Sequence, residues 1–246
     1  AYGDDDNGSH SGSAYIYELD GGVWQETKLL ASDGAYMDFF GESVSISSDG
    51  ATALVGASGD ENNGSASGSA YIYSLVKGVW EETKLLASDA VSYDYFGRSV
   101  SISSDGTTAL VGAYGDDANG DYSGSAYIYS LVGGVWDETN LLVSDGAITA
   151  YFGYSVAISG DETAAIVGAW GNNDNGDYSG SAYVFGLSSD ADCDGNGNID
   201  SCDIEEDPSL DCNGDGILDS CQELDDCNEN GIPDICDLQD PNNDQN

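Results

Sequence analysis

The chain has 246 residues, and its 46 Asp and Glu against four Lys and Arg give a formal charge of −42. Charge of that sign excludes nucleic acid and anionic membrane as partners, because both need a basic face. At 40% hydrophobic, with 16 Tyr and 34 Gly, the composition is still that of a folded protein, and so much like charge calls for salt, bound cations or both to hold it compact, divalent cations being the economical answer.

No run reaches the roughly 18 apolar residues that a membrane span needs. The opening residues do not form a basic-then-apolar signal peptide, as expected of a mature secreted product or of a piece of a longer array. All six cysteines fall between Cys193 and Cys236, which points to an oxidising compartment. The chain therefore divides into a repeat region, residues 1–188, and an acidic, Cys-containing tail, residues 189–246.

The repeat region has a period of 56 residues. Ala1 aligns with Ala57, Ala113 and Ala169, so the sequence opens inside a repeat. FFGESVSISSDGATALVGASGD (Phe39 to Asp60) returns from Tyr95 to Asp116 and again from Tyr151 to Asn172. Fixed self-similarity of this length means one supersecondary unit stacked on its own copies.

Each unit reads as four strands. SVSIS (Ser43 to Ser47) alternates polar and apolar residues, the period of a half-buried strand. Ser48, Asp49 and Gly50 form a hairpin turn. TALVGA (Thr52 to Ala57) is almost continuously small and apolar, as in a strand buried on both faces. After an acidic loop come SAYIYSL (Ser69 to Leu75), a turn at Lys77 and Gly78, and VWEETKLLA (Val79 to Ala87). No stretch carries helical periodicity with caps, and the fold class is all-β, built of propeller-blade-like repeats.

The FG dipeptides (Phe40-Gly41, Phe96-Gly97, Phe152-Gly153) and the GA dipeptides 15 residues later (Gly56-Ala57, Gly112-Ala113, Gly168-Ala169) resemble FG-GAP repeats. That family builds the propeller of integrin alpha subunits and occurs in many bacterial secreted proteins. The resemblance covers about three quarters of the chain. Ser58, Tyr114 and Trp170 stand where the family's Pro is usual, and the blades lack a D-x-D-x-D-G-x-x-D loop.

The acidic loops supply candidate blade-level calcium ligands: Asp4 and Asp6, Asp60 and Asn62, Asp116 and Asn119. The same residues suit a solvated turn in which Asx side chains bond their own backbone, and the pattern leaves both readings open. Asn7 and Asn63 begin glycosylation sequons in these loops.

Thirteen strands make about three and a quarter units, fewer than the 4 to 8 blades of closed propellers. Open stacking, completion by neighbouring chains, or membership of a longer propeller each follow from that count. Unpaired edges invite pairing with another chain, and a head-to-tail contact that does not close gives a filament. The expected contacts lie between residues 1–31 of one copy and the 155–187 blade or the tail of the next.

The tail carries three 12-residue loops with oxygen ligands at the positions of a calcium loop. Asp192, Asp194, Asn196, Asn198 (through its carbonyl), Asp200 and Asp203 form the first. Asp211, Asn213, Asp215, Ile217 (carbonyl), Asp219 and Gln222 form the second, and Asp226, Asn228, Asn230, Ile232 (carbonyl), Asp234 and Asp237 the third. Only seven and then three residues separate the loops, too few for flanking helices, so the tail resembles thrombospondin type 3 repeats. Position 12 is Asp or Gln in place of Glu, which lowers the expected affinity to about 10⁻⁴–10⁻³ M. Cys193 with Cys202, Cys212 with Cys221, and Cys227 with Cys236 form a within-loop set that uses all six cysteines. A between-loop set (Cys202 with Cys212, Cys221 with Cys227) would strand Cys193 and Cys236; the within-loop set is preferred.

His10 is the chain's one histidine, so no Ser-His-Asp arrangement can form away from it. The acidic residues are spread evenly by the repeat, and the expectation is no enzyme. Trp24, Trp80 and Trp136 recur with the period and read as blade packing, with sugar stacking as the alternative. Together these features describe a secreted, calcium-binding structural or adhesive element that partners itself head to tail. The alternative is a propeller-type binding module for an extracellular glycan or surface protein.

Overall fold

The computed structural model describes residues 1–143, 148–160, 162–173 and 176–187, all of them strand, turn or loop. β1 (Ala14–Asp20) and β2 (Val23–Leu29) form a two-stranded first blade. β3 (Val44–Ile46), β4 (Thr52–Ala57), β5 (Ser69–Val76) and β6 (Val79–Leu85) form the second. β7 (Ser99–Ile102), β8 (Thr108–Ala113), β9 (Ser125–Val132) and β10 (Val135–Leu141) form the third, and β11 (Phe152–Ile158), β12 (Ala164–Ala169) and β13 (Ser181–Gly186) the fourth. Within each sheet the strands lie in chain order, as antiparallel meanders. Contacts divide the chain into Ala1–Phe185 and Gly186–Asn246.

The strands fall where the alternation places them, with small shifts at their ends. β6 stops at Leu85, two residues short of the expected Ala87. β11 starts early, at Phe152, and takes the FG dipeptide into the sheet through a register shift between Phe152 and Ser155. Lys77 and Gly78, with φ of 51° and 81°, form the turn between β5 and β6; two successive positive φ angles match the twist of the flanking strands.

Strand parity builds the core. In β5, Ala70 and Ile72 face the third blade while Tyr71 and Tyr73 face the first, and all four are buried. β4 divides in the same way, Leu54 to one side and Ala53 and Val55 to the other. The middle strands therefore lie between two hydrophobic layers, as the apolar run TALVGA anticipates. Each such layer consists of one face from each of two successive blades.

The FG and GA dipeptides sit at these interfaces. Phe96 is fully buried and packs edge-on against Tyr127 at 5.4 Å and Tyr129 at 6.1 Å. Phe40 repeats the contact with Tyr71 and Tyr73. Gly12, Gly68 and Gly124 bridge in parallel to Phe40, Phe96 and Phe152, stitching each blade to the next. The Ser43 hydroxyl donates to the Gly97 carbonyl at 2.7 Å, and Ser99 does the same to Gly153 at 2.8 Å. The motif is thus the chemistry of blade-to-blade contact: an aromatic plug beside glycines that let two backbones touch.

Candidate functional site

Two features stand out above this scaffold, a set of shared carboxylates and a row of stacked aromatic rings.

In the second blade, the Tyr71 hydroxyl donates to Asp33 Oδ1 and Asp60 Oδ2, both at 2.9 Å. Lys84 Nζ bridges the same two carboxylates at 2.7 Å each and lies 5.0 Å from the centre of the Tyr71 ring. Asp60 is buried, and Asp33 comes from the loop after β2 of the preceding blade. The site therefore crosses the repeat boundary. Burial opposes ionisation of Asp33, but its hydrogen bonds from Lys84 and Tyr71 hold it below the usual carboxylate range. Burial first, then the adjacent carboxylates, push the Tyr71 hydroxyl far up, so it remains a donor.

The third blade repeats this arrangement with one change. Tyr127 donates to Asp89 at 2.9 Å and to Asp116 at 2.7 Å, but Asn140 occupies the place of Lys84. Its Nδ2 donates to Asp89 Oδ2 at 3.3 Å. Nearby, burial pushes Asp94 up to about 6; the Val91 amide opposes the shift, and Asp116 and Asp89 add to it. Asp38, its counterpart one repeat earlier, is also raised by burial, but there Lys84 works against the shift.

The acidic-loop residues fall into local turns. Asp60 Oδ1 accepts the Asn62 amide at 2.9 Å, and Asp116 Oδ1 accepts the Ala118 amide at 2.6 Å. Asp4 and Asp6 converge on Lys28, which holds Asp4 at about 2. Asn119 turns its Nδ2 away from Asp116 to the Val143 carbonyl at 3.2 Å. Among the described residues, no three His, Cys, Asp or Glu side chains gather as a metal site. Asn7 and Asn63 are exposed, and Asn7 Nδ2 donates to the Ala31 carbonyl at 3.3 Å. The tail ligands from Asp192 to Asp237 and the six cysteines lie outside the described residues.

The aromatic row was not anticipated. Tyr95 stacks on Tyr114 with centroids 5.1 Å apart and planes 10° apart. Tyr114 meets Tyr151 and Tyr154, Tyr151 stacks on Trp170 at 4.9 Å and 6°, and Trp170 stacks on Tyr178 at 5.7 Å. Tyr154, Trp170 and Tyr178 are exposed. Its stacked pairs use the residue before each FG (Tyr95, Tyr151) and the residue straight after each GA (Tyr114, Trp170), where Pro is usual; Tyr154 and Tyr178 join from the residue after the last FG and from the following loop. Aligning those columns of the repeat would have found it. The tryptophan column singled out from sequence behaves differently: Trp80 and Trp136 pack against the inter-blade cores, while Trp24 is 64% exposed. His10 pairs its Nδ1 with Ser9 Oγ at 2.9 Å in an exposed loop.

Four-stranded antiparallel meanders stacked face to face at a fixed period define a β-propeller-type repeat module. The FG-GAP repeat model matches residues 24–73, 80–129 and 136–185, more than half of the sequence, and the chain belongs to that family. No curated protein sequence matches it. Among solved structures it is similar to a periplasmic gluconolactonase of Pseudomonas aeruginosa, PpgL, at 15% identity and a TM-score of 0.41. That match covers 70% of this chain and spans 45% of the gluconolactonase chain, less than half its length.

Proposed function

We propose that this FG-GAP repeat chain is a secreted, calcium-binding structural or adhesive element that joins other copies of itself blade face to blade face. One observation supports this reading most. Tyr15 and Tyr17 of the first blade are 37% and 55% exposed, whereas their counterparts Tyr71 and Tyr73, and Tyr127 and Tyr129, are buried. On the fourth blade, Ile166 and Val184 are 45% and 71% exposed, whereas Leu110 and Ile128 are buried. The two faces are the two halves of the contact that already joins the blades within the chain. Placing one on the other buries apolar area at roughly 25 cal/mol per Å². Calcium in the tail loops would offset the chain's self-repulsion. Nothing in this reading requires catalysis.

Sedimentation of the full chain in millimolar calcium tests it. Assemblies that grow with concentration, and that are lost in Val184→Asp and in Tyr17→Asp, are expected. A wild-type chain that stays monomeric at high concentration sinks the reading.

The aromatic row favours a second reading, a binding module for a glycan or a surface protein. Stacked rings held by a rigid sheet present a flat apolar surface of the kind that sugar faces cover, and they lose little entropy on binding.

A further inference from the structure

We propose that the interruption of the aromatic row at the second blade is a slot for an aromatic side chain of a basic peptide segment, received between Phe39 and Tyr95. The proposal rests on the binding-module reading and gives it a site and a partner. Its failure would leave the assembly of copies and a sugar on Trp170 untouched, since Trp170 does not line the slot.

The repeats supply an internal comparison. Where the first blade meets the second, Tyr2 and His10 both lie against Phe39, the ring before the FG dipeptide, with centroids at 6.3 and 6.2 Å. Where the third meets the fourth, Tyr114 and Tyr122 lie against Tyr151 in the same way, at 6.2 and 5.8 Å. Where the second meets the third, those two columns hold Ser58 and Ala66, so Tyr95 receives no ring from either. A cavity of about 330 Å³ lies there, with Ser58, Ala66, Phe39 and Tyr95 in its lining. Both columns lose their ring at the same boundary, and the opening is therefore written in the sequence.

An aromatic ring is what this place holds elsewhere in the chain. The walls that would receive one are fixed beforehand. Phe39 and Tyr95 are half-buried and sit in the left-handed region, at φ of 56° and 55°, a conformation that persists in bulky residues only where the surrounding structure imposes it. Walls set in advance lose little entropy on binding. The volume falls at the small end of the roughly 300 to 1,000 Å³ of ligand sites, the scale of a single ring. Between two aromatic faces a ring gains stacked or edge-on contacts that an aliphatic side chain does not.

Charge selects what carries the ring. Arg98 is engaged already, pairing with Glu42 at 3.1 Å and lying 5.6 Å from the centre of the Tyr154 ring. Glu42 also accepts the Ser58 hydroxyl at 2.5 Å, and Glu61 adds a second carboxylate to the lining. On a chain of formal charge −42, an acidic partner is repelled and a basic one is steered in.

Isothermal titration of the full chain with the amidated tripeptide Lys-Tyr-Lys tests the assignment, in about 150 mM sodium chloride, where exposed charges are screened beyond about 8 Å. Saturable binding is expected, with Lys-Ala-Lys and Glu-Tyr-Glu each bound about tenfold more weakly, the scale of one aromatic contact. Ser58→Tyr supplies the ring that the other blades carry, and is expected to weaken Lys-Tyr-Lys about tenfold while leaving Lys-Ala-Lys unchanged. Lys-Tyr-Lys bound no tighter than either control peptide overturns the proposal, as does unchanged binding to folded Ser58→Tyr. Methyl glucoside that binds wild type, is lost in Ser58→Tyr and displaces the peptide would assign the slot to a sugar and overturn it too. Should Ser58→Tyr not fold, Ala66→Tyr fills the neighbouring column and decides in its place.

Discussion

Gly56 of the second blade and Gly97 of the third meet backbone to backbone: a Cβ added to Gly56 would overlap the Gly97 carbonyl oxygen. That oxygen also accepts the Ser43 hydroxyl at 2.7 Å, so it cannot move without losing a hydrogen bond. The first glycine belongs to a GA dipeptide and the second to the following FG, so the two halves of the family motif touch across the repeat boundary. Gly56→Ala should therefore destabilise by about 2 kcal/mol, the usual scale for forcing an extra methyl into a packed interior. Gly3→Ala, where an added Cβ meets nothing within 4 Å, is the control and should be neutral. Urea unfolding of both variants checks the pair.

The two tyrosine clusters should respond unequally to loss of a hydroxyl. Tyr71→Phe leaves Asp33 and Asp60 held by Lys84, whereas Tyr127→Phe leaves Asp89 with the Asn140 amide and Asp116 with the Ala118 backbone amide, and neither with a cation. In chelator, Tyr127→Phe should cost more than Tyr71→Phe by about 1.5 kcal/mol, the lower end of the range for a hydrogen bond to a charged group. Equal costs would mean that the Lys84 pairing contributes nothing beyond the phenol.

Asp94 sets a pH dependence whose sign is fixed. Its folded pKa of about 6 lies above the ordinary 3.8, so the folded state holds the proton more tightly than the unfolded one. That contribution is fully present below about pH 4 and is lost as pH rises towards 6. Asp94→Asn should therefore show a smaller fall in stability than wild type between pH 4 and 6. Denaturant midpoints across that window, with chelator present, give the comparison. Asp4, held at about 2 by Lys28, acts in the opposite sense: its contribution is present above the ordinary carboxylate pKa and is lost as pH falls through 2.

How far the sequence could be read depended on distance along the chain. The strands, their turns and the double-sided burial of Thr52 to Ala57 follow from local pattern. The carboxylate clusters do not, because Asp33 and Lys84 are 51 residues apart and reach Asp60 from opposite sides of a repeat boundary. Read locally, Asp60 and Asn62 suit either two ligands or an Asx turn of one loop; the fold adds what the loop alone does not show, that Asp60 Oδ1 accepts the Asn62 amide while its Oδ2 accepts from Lys84. The aromatic row escaped for a similar reason. Tyr95 and Tyr114 lie 19 residues apart, and their columns vary through Phe39, Tyr151, Ser58 and Trp170, so no single motif displays them.

Trp170 is the residue on which the binding-module reading can be decided. It is 47% exposed, stacked between Tyr151 at 4.9 Å and Tyr178 at 5.7 Å, and met edge-on by Tyr154 at 6.0 Å. It does not belong to the inter-blade cores, so Trp170→Ala should leave the unfolding midpoint close to wild type. A sugar ring lying on the row would change the indole emission and would lose its widest contact in the variant. A neutral oligosaccharide panel should therefore contain a ligand that saturably shifts the fluorescence of wild type and binds Trp170→Ala about tenfold more weakly, the scale of one aromatic contact. Asn140→Lys, remote in role, should bind the same sugar normally. If no saccharide perturbs the wild-type emission, or if Trp170→Ala binds as tightly as wild type, the row serves packing between blades and glycan is not its ligand.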